Sequence, residues 1–60
     1  MDRKERFLKV YVNLPINLRE EVVIVVNEVP ISWNVAYLEV KNNTVLGATI
    51  LEKLDALKVI

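Results

Sequence analysis

The residues that could carry out acid–base or nucleophilic chemistry are few in this sequence. It contains no histidine, the usual general base near neutral pH, and no cysteine for a thiolate nucleophile, a disulfide or a zinc site. Ser32 is the only serine and stands where a helix N-cap is expected. Glu20 and Glu21 are adjacent, but neighbours on a strand point to opposite faces, so the two carboxylates are poorly placed to share a metal ion or a proton. The sequence therefore predicts no enzyme, no cofactor and no metal site.

Nucleic-acid binding is a second chemistry that the sequence could support. Segment 33–58 predicts two helices joined by a short Asn-Asn-Thr turn, which is the spacing of a helix-turn-helix. Residues 50–60 resemble the end of the recognition helix in winged-helix proteins, where this helix leads into a first wing strand. No wing follows in this sequence. The resemblance therefore implies a DNA-binding, helix-turn-helix-like transcription regulator that lacks a wing.

The distribution of charge disfavours DNA as the partner. A recognition helix reads base edges with Arg, Lys, Asn or Gln, and the outward positions of segment 45–58 offer only Lys53 and Lys58 as cations. Segment 3–9 holds the densest basic patch, but Glu5 lies within it and Asp2 directly before it. Over the whole chain, eight basic and eight acidic residues cancel. DNA binding is therefore the alternative hypothesis, and nucleic acid is not the expected partner.

The first predicted element is a helix over segment 3–13. Asp2 can cap it, Glu5 lies at the capping-box spacing, and apolar residues recur at helical intervals. The alternation of apolar residues over 8–14 leaves a strand as the competing interpretation. Pro15 disfavours helical geometry in the residue before it, so it ends the element in either case.

A β-hairpin is predicted over residues 22–32. The five consecutive β-branched residues of segment 22–26 predict a strand covered on both faces. Asn27-Glu28 predicts a tight turn, and segment 29–32 is the returning strand. Pro30 cannot donate a ladder hydrogen bond, which confines that strand to an edge of the sheet.

Two further helices are predicted, over residues 33 to about 41 and over residues 45 to about 58. Thr44 can cap the second, and Gly47 near its start allows close backbone approach. The order helix, hairpin, helix, helix predicts an α+β fold, in a small single domain that spans residues 1–60. A three-stranded sheet with one or two helices is the alternative.

The apolar content of the chain carries the functional prediction. Apolar residues make up 53% of the sequence, although small proteins have proportionally more surface and should be more polar. A core of this size supplies roughly 3–5 kcal/mol, and without cysteine or histidine the remaining means of stabilisation is oligomerisation. We therefore predict a non-catalytic association or scaffold domain, either a homodimer that joins two hairpins into a four-stranded sheet or a small subunit of a larger protein. The predicted interface residues are Val23, Val25, Trp33, Tyr37, Leu46, Ile50, Leu54 and Leu57.

Segment 2–6 and the longest aliphatic run set the expected location. Residues 2–6 are all charged, and no apolar stretch of a signal peptide follows. The longest aliphatic run covers only residues 22–26, far short of the ~20 residues that a membrane span needs. We expect a cytoplasmic protein with no membrane span, in a compartment whose reducing conditions suit a chain without cysteine.

Overall fold

A computed structural model describes residues 2–60 of the chain. Its regular elements follow the predicted order of one helix, a hairpin and two further helices, which confirms the small α+β domain. The elements are α1 (Arg3–Val12), a 3-10 turn (Ile16–Leu18), β1 (Val22–Val26), β2 (Val29–Ser32), α2 (Trp33–Lys41) and α3 (Val45–Ala56).

Local capping groups set where the helices begin. The side chains of Asp2, Ser32 and Thr44 each accept a hydrogen bond from the backbone N–H three residues later, at 2.8, 3.2 and 2.9 Å. Segment 3–13 is a helix and not a strand, although it ends one residue early, at Val12. α3 also ends early, at Ala56, and Lys58 two residues later has a φ of 59°, outside the helical region.

The hairpin between β1 and β2 closes on the predicted turn. Asn27 and Glu28 have φ values of 50° and 67°, the left-handed pair that a two-residue hairpin turn requires. The strands pair antiparallel, with Val25 opposite Pro30, and a β-bulge interrupts the register between Val22 and Ile24.

The prediction that β1 is covered on both faces is wrong for this chain. Ile24 and Val26 are buried against the helices, whereas Val22 and Val25 are each 55% exposed. Within residues 2–60 the helices form one layer on one side of the hairpin, so they leave its other face to solvent.

The core lies between that layer of helices and the inner face of the hairpin. Its largest fully buried side chains are Phe7, Val40, Ile50 and Leu54. α2 and α3 approach closely at Gly47, where an added Cβ atom would overlap the carbonyl oxygen of Glu39 and lie 2.7 Å from its carbonyl carbon. The prediction that this glycine serves close packing is therefore confirmed.

Candidate association surface

An apolar groove runs between β1 and the end of α3. We call it the hairpin groove; it has a volume of about 220 Å³ and is lined by Ile24, Val25, Lys53, Ala56 and Leu57. Val25 points outward because the strand alternates faces, and Leu57 lies just past the last helical turn, where it is 66% exposed. The fold thus brings two of the predicted interface residues to one place.

The groove continues onto the outer face of the hairpin. Val22 and Val25 lie on that face, and Pro30, directly opposite Val25, is exposed as well. We call Val22, Val25, Pro30 and Leu57 together the hairpin surface. Val22 and Pro30 were not among the predicted interface residues, because a strand made only of apolar residues shows no alternation that would identify its outer face.

Four of the predicted interface residues support the core instead. Ile50 and Leu54 have no exposed surface, so a partner cannot reach them unless the core opens. Val23 and Leu46 are half-buried and pack against the same cluster. An aliphatic residue that faces the core and one that faces a partner have the same chemistry, and sequence periodicity does not separate them.

Trp33 and Tyr37 are half-buried in an aromatic cluster that joins α1 to α2. The ring of Tyr37 stacks on Tyr11 with centroids 4.4 Å apart, and Trp33 lies 5.9 Å from Phe7. The guanidinium of Arg19 sits 4.6 Å above the Tyr11 ring, in cation–π geometry. Neither Trp33 nor Tyr37 lines the hairpin groove. Their contacts stabilise the packing of the two helices.

The exposed apolar side chains do not result from a loosely folded chain. The total accessible surface is 4118 Å², and a folded monomer of 6.9 kDa is expected to have about 4000 Å². The high apolar content of the sequence therefore changes the kind of side chain at the surface and not the total surface area. The large apolar residues with substantial exposure are Val12, Ile16, Leu18, Val22, Val25, Val29, Val35, Leu38, Val45, Leu57 and Val59.

The groups that could do chemistry remain separate in the described part of the chain. Glu20 and Glu21 are both exposed to solvent. No three carboxylates converge on a point within residues 2–60 where a metal ion could bind. Over the same residues, no helix combines the length and the apolar character needed to cross a bilayer.

Asp55 ties the end of α3 to the first turn of α1. Arg3 Nε donates to Asp55 Oδ2 at 2.7 Å, and Arg6 Nη1 lies 3.1 Å from Asp55 Oδ1. The hydrogen bonds from Arg3 and Arg6 lower the pKa of Asp55, and the hydrogen bond to Asp55 raises the pKa of Arg3. Lys4 donates to Asn43 Oδ1 at 2.9 Å. Three of the four cations in segment 3–9 thus have partners within the domain.

This ion-pair cluster predicts a specific acid sensitivity. A carboxyl group whose pKa is lowered on folding stabilises the native state above its unfolded pKa of about 3.9, and that contribution disappears as the pH falls through the native pKa. We expect the free energy of unfolding to decrease with acidification below roughly pH 4, and to decrease less steeply in Asp55→Asn. Urea unfolding at a series of pH values measures both slopes.

Glu20→Gln is the matched control for this measurement. It removes an exposed carboxylate outside the cluster and should keep the wild-type dependence on pH. Equal slopes in the wild type and in Asp55→Asn would show that the cluster does not contribute to acid stability.

Comparisons with known proteins identify no relative of this chain. No protein-family model matches it, and no curated protein and no solved structure matches it either. Its function is therefore to be inferred from the surface that the fold leaves exposed.

Proposed function

We propose that this domain is a non-catalytic association module that acts as a homodimer through the hairpin groove, along the free side of β1. The observation that carries the proposal is the position of Val25 and Leu57, two strongly exposed aliphatic residues on either side of one groove. Contiguous apolar surface next to the unpaired edge of a strand is typical of an interaction site in a soluble domain.

A second copy of this chain suits the hairpin groove better than a charged partner does. The net charge is zero, so two copies do not repel one another over long range. The groove is bordered by Lys53 alone among charged residues, and the rest of its lining is apolar. A two-fold axis presents the same patch from both copies, which allows Leu57 of each to enter the groove of the other.

The sheet itself supports the same partner. An isolated two-stranded hairpin is marginally stable in water, and packing against the helices supports this one on its inner face only. Two hairpins joined side by side would give four strands. The association would then supply the sheet with the neighbours that residues 2–60 do not provide.

DNA binding has less support. Arg3 and Arg6 share the carboxylate of Asp55, and with Asp2 and Glu5 nearby the basic patch of α1 keeps little net positive charge. The exposed positions of α3 carry Glu52 beside Lys53, which is a poor surface for phosphate.

Sedimentation velocity over the micromolar range tests the proposal. The wild type is expected to sediment as a dimer, and Leu57→Lys should raise the dimer dissociation constant about tenfold or more, because a charge is placed in the apolar contact. Val12→Lys is the matched control. Val12 is 65% exposed and lies away from the groove, so this substitution adds the same charge outside the proposed contact. Circular dichroism checks that both variants are folded.

Two outcomes would contradict the proposal. One is a wild-type protein that stays monomeric throughout this range, in which case a different partner would have to cover the hairpin groove. The other is a dimer that weakens equally in Leu57→Lys and Val12→Lys, which would place the interface elsewhere.

A further inference from the structure

The two edges of the hairpin differ in what they can bind. A two-residue turn closes on a hydrogen-bonded pair, here Val26 and Val29, and hydrogen-bonded and non-hydrogen-bonded pairs then alternate along the strands. Val25 and Pro30 are therefore a non-hydrogen-bonded pair. Their backbone groups point away from each other, toward the outer edges of β1 and β2.

At the outer edge of β2, Pro30 prevents further pairing. Its nitrogen carries no hydrogen to donate, and its ring occupies the space that the accepting C=O of another strand would need. Proline at this position is one of the ways in which natural sheets protect an exposed edge. The returning strand thus keeps all its hydrogen bonds to β1 while offering no donor to the outside at residue 30.

The outer edge of β1 has no such protection. Val25 directs its N–H and its C=O outward, and among residues 2–60 no backbone group outside the hairpin bonds to it. The β-bulge between Val22 and Ile24 ends the regular ladder on one side and the turn at Asn27 ends it on the other. The segment that can accept another strand is therefore short and centred on Val25.

We propose that β1 pairs antiparallel with β1 of a second copy, with the two Val25 residues opposite each other, and that Pro30 stops the assembly at the dimer. This inference rests on the proposed dimer and specifies its geometry. The joined sheet has the strand order β2, β1, β1 and β2, so both of its outer edges carry Pro30. A sheet closed in this way has no edge left to recruit a third copy.

Substitution at Val25 separates edge pairing from simple packing of apolar faces. Val25→Pro removes the outward donor and leaves the ladder bonds of the hairpin intact, because the residue-25 nitrogen does not face β2. With two symmetry-related hydrogen bonds lost, the dissociation constant should rise about 30-fold. Val25→Ile keeps the donor, the branched shape and the apolar contact, so its dissociation constant should stay within about fivefold of the wild type.

The reverse substitution tests the role of Pro30. Pro30→Val restores a donor to the outer edge of β2, and the protein should then form assemblies larger than a dimer, which grow with concentration. Light scattering coupled to size exclusion measures this. It remains informative even if Val25→Pro does not fold, because Pro30→Val replaces a poor strand former by a good one.

The results distinguish this inference from the proposal on which it rests. A wild-type dimer that survives Val25→Pro would overturn edge pairing and leave dimerisation itself intact. A Pro30→Val protein that stays a dimer at high concentration would overturn the role of Pro30. A monomeric wild type would overturn the proposed function, and the pairing geometry with it.

Discussion

Replacing Gly47 with alanine is expected to destabilise the protein by about 2 kcal/mol or more, although glycine to alanine usually stabilises a helix by about 1 kcal/mol. The added methyl group would overlap the backbone carbonyl of Glu39, and a carbonyl within α2 cannot rotate away as a side chain could. The helices must separate instead, which opens the core around Val40 and Ile50.

The turn between α2 and α3 makes this separation costly. Thr44 Oγ1 accepts a hydrogen bond from the Gly47 N–H at 2.9 Å and donates to Glu39 Oε1 at 2.7 Å. These bonds fix the start of α3 to the end of α2 at the point where the methyl group would intrude. A shift of the helix that relieves the clash therefore strains its cap as well.

Thermal unfolding followed by circular dichroism measures the effect of Gly47→Ala. The midpoint is expected to fall by roughly 8–16 °C, as a domain of this size loses 4–8 °C per kcal/mol. Ala48→Gly, on the exposed side of the same turn, provides the comparison and should cost only about 1 kcal/mol through helix propensity. If Gly47→Ala proves as stable as the wild type, the two helices do not approach as closely as the structure indicates.

Local signals made most of the fold predictable from the sequence. Asp2, Ser32 and Thr44 identified the helix starts because a cap involves only the residue three positions ahead. Asn27 identified the turn even without a glycine, because asparagine tolerates the left-handed conformation. These features depend on nearest neighbours, so a single sequence contains them in full.

The outward-facing half of the candidate site was less predictable. Leu57 continues the spacing of Leu54 by one helical turn, but α3 ends at Ala56 and the following Lys58 has a φ of 59°. The side chain of Leu57, predicted at the interface together with Leu54, is therefore exposed, whereas Leu54 is buried. Helix ends depend on capping and packing together, and the sequence between Ala56 and Lys58 has neither glycine nor proline to mark the end.

Contacts between distant segments were not predictable at all. The pairing of Arg3 with Asp55 spans 52 residues, and neither residue type indicates its partner. The stacking of Tyr11 on Tyr37 likewise needs the relative placement of α1 and α2, which follows only from the assembled core. The ion pairs with Asp55 show that Arg3 and Arg6 of the basic segment link α1 to α3 and are not part of a free cationic patch.

Phe7→Ala is expected to leave the domain largely unfolded in dilute solution. Phe7 has no exposed surface, and its ring lies 6.2 Å from that of Tyr11. Truncation of a buried phenylalanine costs about 3–5 kcal/mol, which equals the roughly 3–5 kcal/mol that a core of this size supplies. Val12→Ala on the same helix is exposed and should change the stability by no more than about 0.5 kcal/mol. Helix content measured by circular dichroism distinguishes the two variants.

The same variant connects the core to the proposed association. A partner that binds only the folded chain stabilises it by mass action, so helix content in Phe7→Ala should increase with protein concentration if the domain dimerises. Adding Leu57→Lys to this variant should move the increase to about tenfold higher protein concentration or more, because a charge then stands in the hairpin groove. A wild-type-like stability of Phe7→Ala would show that the cluster around Phe7 is not the centre of the core. A concentration effect that Leu57→Lys leaves unshifted would locate the association away from the groove.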